Sequence, residues 1–171
     1  MSFEQIDLGE RVAQKEQKPL VYLAGAIERS PDGGCYWREE ISKFLVNELG
    51  HWVFNPCREE HHILTPEEAN HFRSWKESDI TKFRKTISKI IRNDLSILHN
   101  RADYIICYWD EYVLYGGGTH GELTFAFWFD IPVYMVTHIP LREMSSWIVG
   151  CTTEIFPNFD LLKNFLRERY A

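Results

Sequence analysis

The stretch "YGGGTHGEL", residues 115 to 123, sets a carboxylate, Glu122, behind three consecutive glycines. An ionised, accessible carboxylate is a usable nucleophile, and glycines remove the side chains that would keep a ligand from the backbone. A second reading fits the same letters. Thr119 to Glu122 has the spacing of a capping box, in which the glutamate folds back onto the amide of its own cap. Spacing alone leaves both readings open; the glycines favour the ligand, because a helix start does not require them. A position near a helix N-terminus would hold Glu122 ionised at neutral pH.

A second acid, Asp94, lies four residues after Ile90, three after Ile91 and four before Leu98, which puts it on the apolar stripe of a helix spanning 80 to 98. A carboxylate on an inward stripe needs a partner, either an arginine such as Arg92 or Arg101 or a ligand in a cleft. "CREEHH" brings Cys57, His61 and His62 together, but no second pair follows at finger spacing, so no metal is expected.

These residues need elements to hold them. "LVYLAG" (20–25), "HWVF" (51–54), "DYIICYW" (103–109) and "IPVYMV" (131–136) read as strands. Between and after them, helical spacing predicts helices from Cys35 to a stop at Gly50, over 80 to 98, from about Thr119 to Phe129, and along "NFDLLKNFLRERY". "TPEE" at 65 to 68 resembles a helix start with proline in the first turn. The alternation predicts an α/β fold, a Rossmann-like (flavodoxin-like) parallel sheet of about five strands with helices on both faces, with ligands bound beyond the C-terminal strand ends. Tyr22 and Gly25 on the first strand, Phe54 and Asn55 ending the second, Asp110 ending the third, and Gly117, Gly118 and Thr119 of the glycine turn converge on that edge. Trp37 and Phe54 adjoin it and could flank a flat ring; the Tyr22 hydroxyl could orient Glu122.

At 171 residues, 44% of them hydrophobic, the chain has the length of one domain with a substantial core. Residues 1–19 read as a polar extension and 20–171 as the domain. A formal net charge of −6 disfavours a broad nucleic-acid surface. No apolar run reaches membrane-span length and the polar start lacks a signal peptide's core, so a cytoplasmic protein without membrane attachment is expected. The four cysteines have no paired spacing and are expected as free thiols.

Together, "VYLAG", "NP" after the second strand, "NDLSIL", "ADYIICYWD" and "GGGTHGELTFAFWFDIPVYMV" resemble the nucleoside 2-deoxyribosyltransferase family over roughly residues 20 to 136. The resemblance implies that Glu122 attacks the anomeric carbon of a 2-deoxynucleoside, that Asp94 handles protons on the leaving and incoming bases, and that Tyr22 positions the glutamate. It implies a nucleoside and a free base as partners, no cofactor, and a homodimer or higher oligomer. One departure stands out: many members carry a sugar-binding aspartate six residues before the glutamate, and here that position is Gly116. Asp110 is the residue that could replace it. Two other readings stay open, an N-glycoside hydrolase using water and a non-catalytic nucleoside-binding module. The glycine turn also resembles that of cytokinin-activating phosphoribohydrolases, with Tyr115 where their first glycine would be.

Overall fold

The computed structural model describes residues 18–170. Most of the expected N-terminal extension therefore lies outside the described residues. Five parallel strands form one sheet in the order β2-β1-β3-β4-β5, with β1 Leu20–Gly25, β2 Trp52–Phe54, β3 Tyr104–Tyr108, β4 Val133–Val136 and β5 Glu154–Phe156. The central strands β1, β3 and β4 are buried almost throughout, as expected where helices cover both faces. The two edge strands are three residues each, which leaves little unpaired backbone exposed. The sheet order is flavodoxin-like, as expected. It reverses direction between β1 and β3, and the register pairs Gly25 with Tyr108 at their C-terminal ends, opening a crevice there.

The period of two along each strand sorts the core into two layers. Tyr22, Ala24, Ile105 and Cys107 pack on one face beneath α5 (Ile80–Asn100), α6 (Gly117–Trp128) and α7 (Ser146–Gly150). Val21, Leu23, Tyr104 and Ile106 pack on the other beneath α1 (Cys35–Asn47) and α8 (Phe159–Tyr170). Between β2 and α5 the chain makes three short helices, α2 (Pro56–Ile63), α3 (Pro66–His71) and α4 (Trp75–Ser78). Their apolar residues Leu64, Phe72 and Trp75 pack on Phe83, Ile87 and Ile90 of α5. The Thr65–Glu68 start is a true capping box, Thr65 Oγ1 accepting from the Glu68 amide and the Glu68 carboxylate accepting from the Thr65 amide, with Pro66 in the first turn.

Two sequence expectations need correction here. Helix α6 begins at Gly117, two residues before the expected Thr119, so no capping box forms at Thr119–Glu122. A short 3₁₀ turn, Val113–Tyr115, leads directly into the helix, and Gly116 takes the extended cap conformation. Thr119 is consequently buried inside the first turn. Strand β5 occupies a stretch to which the sequence pattern assigns no element, because three half-exposed residues carry no alternation.

The loop from β1 to α1 turns on Gly34, whose φ of +69° is a left-handed conformation that side chains rarely adopt. A Cβ there would collide with the Ala26 carbonyl oxygen and with Arg38 Nη1. Gly34→Ala is expected to cost about 2–4 kcal/mol of stability, the left-handed penalty plus displacement of a backbone carbonyl. Urea denaturation checks it; a midpoint equal to the parent's would refute the loop geometry.

Candidate active site

Glu122 occupies the second turn of α6, and its Oε1 accepts a 2.7 Å hydrogen bond from the Tyr22 hydroxyl. Tyr22 is fully buried, so its hydroxyl requires a partner inside the protein, and Glu122 supplies it. Behind the ring, Phe54 stacks at 5.1 Å with planes 18° apart, which fixes the direction of the hydroxyl. Burial and the two nearby carboxylates push the Tyr22 pKa far up, so the hydroxyl keeps its proton and acts as a donor.

Both acids face one cavity of about 490 Å³, at the crevice where the sheet order reverses. Glu122 enters it from α6 and Asp94 from α5; Gly25, Gly117, Gly118 and Thr119 contribute bare or small surfaces beside them. Apolar side chains of α5, among them Ile87, Ile90 and Leu95, form one wall. Phe72 and Arg73 of the segment between β2 and α5 cover another, with Glu60 tied to Arg73 at 2.8 Å. A Cβ atom at Gly117, Gly118 or Gly121 would meet nothing within 4 Å, so these glycines border open room near Glu122.

The electrostatics differ from the sequence expectation. Burial pushes Glu122 up to about 7, helped by the Asp94 charge and opposed by the Tyr22 hydrogen bond and the Arg38 charge. It is therefore not held ionised by its helix, since it lies in the second turn rather than at the helix start. Asp94 is pushed up to about 6, mainly by burial and further by Glu60 and Glu59, while the hydrogen bond from Asn93 and the nearby Tyr22 hydroxyl hold it down. Its neighbour is the Asn93 amide at 3.2 Å, rather than Arg92 or Arg101. Two carboxylates whose pKa values burial raises toward neutrality thus line one half-closed, largely apolar cavity.

Besides Tyr22, which is buried and reaches the cavity through Glu122, four expected site residues do not line it. Trp37 packs on the opposite face of the sheet against Tyr108 and Phe159, where it borders a separate cavity of about 480 Å³. Phe54 is buried behind Tyr22 and reaches the site only through it. The Asn55 side chain caps α2, its Oδ1 accepting from the Cys57 amide at 3.1 Å. Asp110 accepts from the amides of Tyr112 and Val113 at 3.0 and 3.1 Å, which holds the 3₁₀ turn before α6 and places its carboxylate on the Trp37 side. It therefore lines a different cavity from the one that Gly116 borders. Adjacency to a strand end says nothing about which side of the sheet a residue faces, and Trp37 and Asp110 fall on that ambiguity, whereas Phe54 shares the face of Tyr22 but is buried behind it and the Asn55 side chain is taken up by its helix cap.

One residue that nothing in the sequence marks is Arg38. It is fully buried on α1, and its guanidinium donates to four carbonyl oxygens around the end of β1: Leu23, Gly25, Ala26 and Gly34. Flanked by Glu39 and Glu40, it has the look of a solvated charge run. All four cysteines are free, and Cys57 donates to the Gly33 carbonyl at 3.3 Å. Among the described residues no three His, Cys, Asp or Glu side chains gather in a metal-binding group, and no helix is long and apolar enough to cross a membrane.

No family model matches the chain, and no curated protein matches it. Among solved structures, the fold is similar to that of a 2-deoxyribosyltransferase from the psychrotolerant bacterium Bacillus psychrosaccharolyticus. The TM-score is 0.62 at 18% sequence identity, over 85% of this chain and 90% of that one. At that identity the likeness establishes a shared parallel α/β architecture, the framework on which the two carboxylates are mounted.

Proposed function

We propose that the protein is a nucleoside 2-deoxyribosyltransferase, exchanging the base of a 2-deoxynucleoside through a glycosyl ester on Glu122. The observation that carries the reading is the 2.7 Å hydrogen bond from Tyr22 to Glu122 at the wall of a cavity that Asp94 also lines. In the first step a Glu122 oxygen bonds to the anomeric carbon and the bond from that carbon to the base nitrogen breaks. The electron pair leaves with the base, which takes a proton from Asp94. In the second step the nitrogen of an incoming base attacks the same carbon, the carboxylate of Glu122 departs, and the proton released returns to Asp94. Two displacements give net retention, and the oxocarbenium character of each transition state is stabilised by the carboxylate beside it. No metal or organic cofactor enters either step.

The similar solved structure supports the reading at the level of fold, and its protein is itself described as a biocatalyst for making nucleosides. A cavity of about 490 Å³ with an apolar wall suits a flat base and a sugar. The exposed Leu114, Tyr115, Phe127 and Trp128, on the turn and helix that carry Glu122, support assembly as a homodimer or larger oligomer.

Incubation with a 2-deoxynucleoside, with and without a second free base, tests the proposal. A new nucleoside is expected only when the second base is present, together with a mass increment of one deoxyribosyl group on the peptide carrying Glu122 after acid quench. Free sugar formed at the same rate in both incubations would make the protein a hydrolase, and binding without turnover would make it a binding module.

A further inference from the structure

Arg38 poses a problem that the proposed chemistry leaves unsolved. A guanidinium removed from water is costly unless an opposite charge compensates it. Among the described residues none of the ion pairs includes Arg38. Its hydrogen bonds all end on main-chain oxygens: Nε on Leu23 at 3.3 Å, Nη1 on Gly34 at 2.7 Å and Ala26 at 3.1 Å, Nη2 on Gly25 at 2.9 Å. Trp37 lies against the guanidinium with its ring 4.6 Å away. Those bonds orient the group but leave its full positive charge without a carboxylate in contact.

The acids lie on the other side of β1. Glu122 is faced by Tyr22 on β1, by the buried Cys107 on β3 and by Asp94 on α5, with Glu28, Glu60 and Arg73 around the same cavity. Cys107 and Tyr22 stay neutral because burial raises both. Arg73 is already tied to Glu60. Among the described residues the other cation that acts on this group is Arg38, whose charge lowers both Glu122 and Tyr22 through a low-dielectric interior.

We propose that Arg38 is a positioning residue for Glu122: from the opposite face of the sheet it locks the end of β1, and its buried charge favours the carboxylate form. The geometry makes both halves of the role depend on one planar fork. The bond to Leu23 holds the residue next to Tyr22, and the bonds to Gly25 and Ala26 hold residues that line the cavity. A lysine retains the charge but cannot span four carbonyls from one rigid plane. A glutamine does the reverse, keeping a donor and losing the charge.

The role of Glu122 is taken from the reading above, but the charge coupling itself is measurable in the resting protein. Carbon-13 NMR titration of protein labelled at glutamate carboxyl carbons, with the Glu122 signal assigned by its loss in Glu122→Gln, follows the ionisation directly. In Arg38→Gln the Glu122 midpoint is expected to rise, and kcat on the acidic side of the profile to fall in proportion to the lost ionised fraction with KM nearly unchanged. In Arg38→Lys the midpoint is expected to stay within a few tenths of the parent's while KM rises, because the turn loosens and the charge remains.

An unmoved midpoint in folded Arg38→Gln would overturn the proposal. Should that variant fail to fold, folded Arg38→Lys decides: a rise of the Glu122 midpoint with the charge retained would overturn it equally. Shifts as expected, in a protein that releases no base at all, would uphold the coupling and defeat the transferase reading instead.

Discussion

Glu122→Gln is expected to lower base release from a 2-deoxynucleoside by roughly three orders of magnitude or more, while nucleoside affinity changes only a few-fold. The amide has nearly the carboxylate's shape and can accept the same Tyr22 hydrogen bond, so the cavity keeps its form. It has lost the anion that attacks carbon and stabilises the oxocarbenium. The change should also alter stability, with a sign set by pH. Glu122 has a folded pKa of about 7, above the ordinary carboxylate value, so the native state holds its proton more tightly than the unfolded chain does. Stability from this group is fully present below about pH 4.5 and is lost as pH rises through about 7. The neutral amide escapes that loss, so the variant should be more stable than the parent by about 1–3 kcal/mol at pH 8 and indistinguishable from it near pH 4.5. Rapid-quench assay and urea denaturation at the two pH values check both halves. A variant that releases base at the parental rate removes Glu122 from the chemistry, and a stability difference independent of pH removes the burial argument.

That stability trade ties the site to the fold. The crevice beyond β1 and β3 exists because the strand order reverses there, and the period-two alternation of β1 turns Tyr22 toward α6 while turning Leu23 toward α1. Adjacent residues of one strand therefore connect the carboxylate on one face to the guanidinium on the other. The Tyr22 hydroxyl donates a hydrogen bond to Glu122, and the Leu23 carbonyl oxygen accepts one from Arg38.

Much of this was legible in the sequence, for reasons that also mark where legibility ends. The apolar runs of β1, β3 and β4 and the long stripe of α5 are strong signals because they are buried in the central layers, and they bring Tyr22, Asp94 and Glu122 to one place. Two four-residue stretches with similar capping potential, Thr65–Glu68 and Thr119–Glu122, behave differently for a reason four-letter spacing does not carry. The second is overridden by the 3₁₀ turn that Asp110 caps, which starts the helix at Gly117 and frees the glutamate for the cavity. Arg38 was illegible because its neighbours Glu39 and Glu40 are those of a surface helix, and only the tertiary fold reveals that its side chain passes under β1. The side of the sheet taken by Trp37 and Asp110 depends on where α1 and α8 pack, which no local pattern encodes.

The pH dependence of the proposed reaction follows from the pair rather than from either acid. Attack needs Glu122 ionised and departure of the base needs Asp94 protonated, while burial pushes them to about 7 and about 6 respectively. Below both values the pair carries two protons and no nucleophile; above both it carries none and no acid. A bell-shaped kcat/KM profile with its maximum between about pH 6 and 7 is expected, its limbs belonging to the coupled pair. Because Glu122 has the higher value, the productive arrangement is a minority, roughly a tenth, of the singly protonated pair. Asp94→Asn should therefore do three things at once. It should lower the rate on an ordinary nucleoside about 10²- to 10³-fold by removing the proton donor. It should abolish the basic limb, and the one limb that remains should report Glu122 alone, at or above the acidic limb of the pair and below about pH 7 because the Asp94 charge that pushes Glu122 up is gone. A deoxyriboside whose leaving group departs without a proton should recover most of the loss. If Asp94→Asn keeps the basic limb, or if such a substrate is slowed as much as the natural one, Asp94 is not the acid and the carboxylates do not work as a pair.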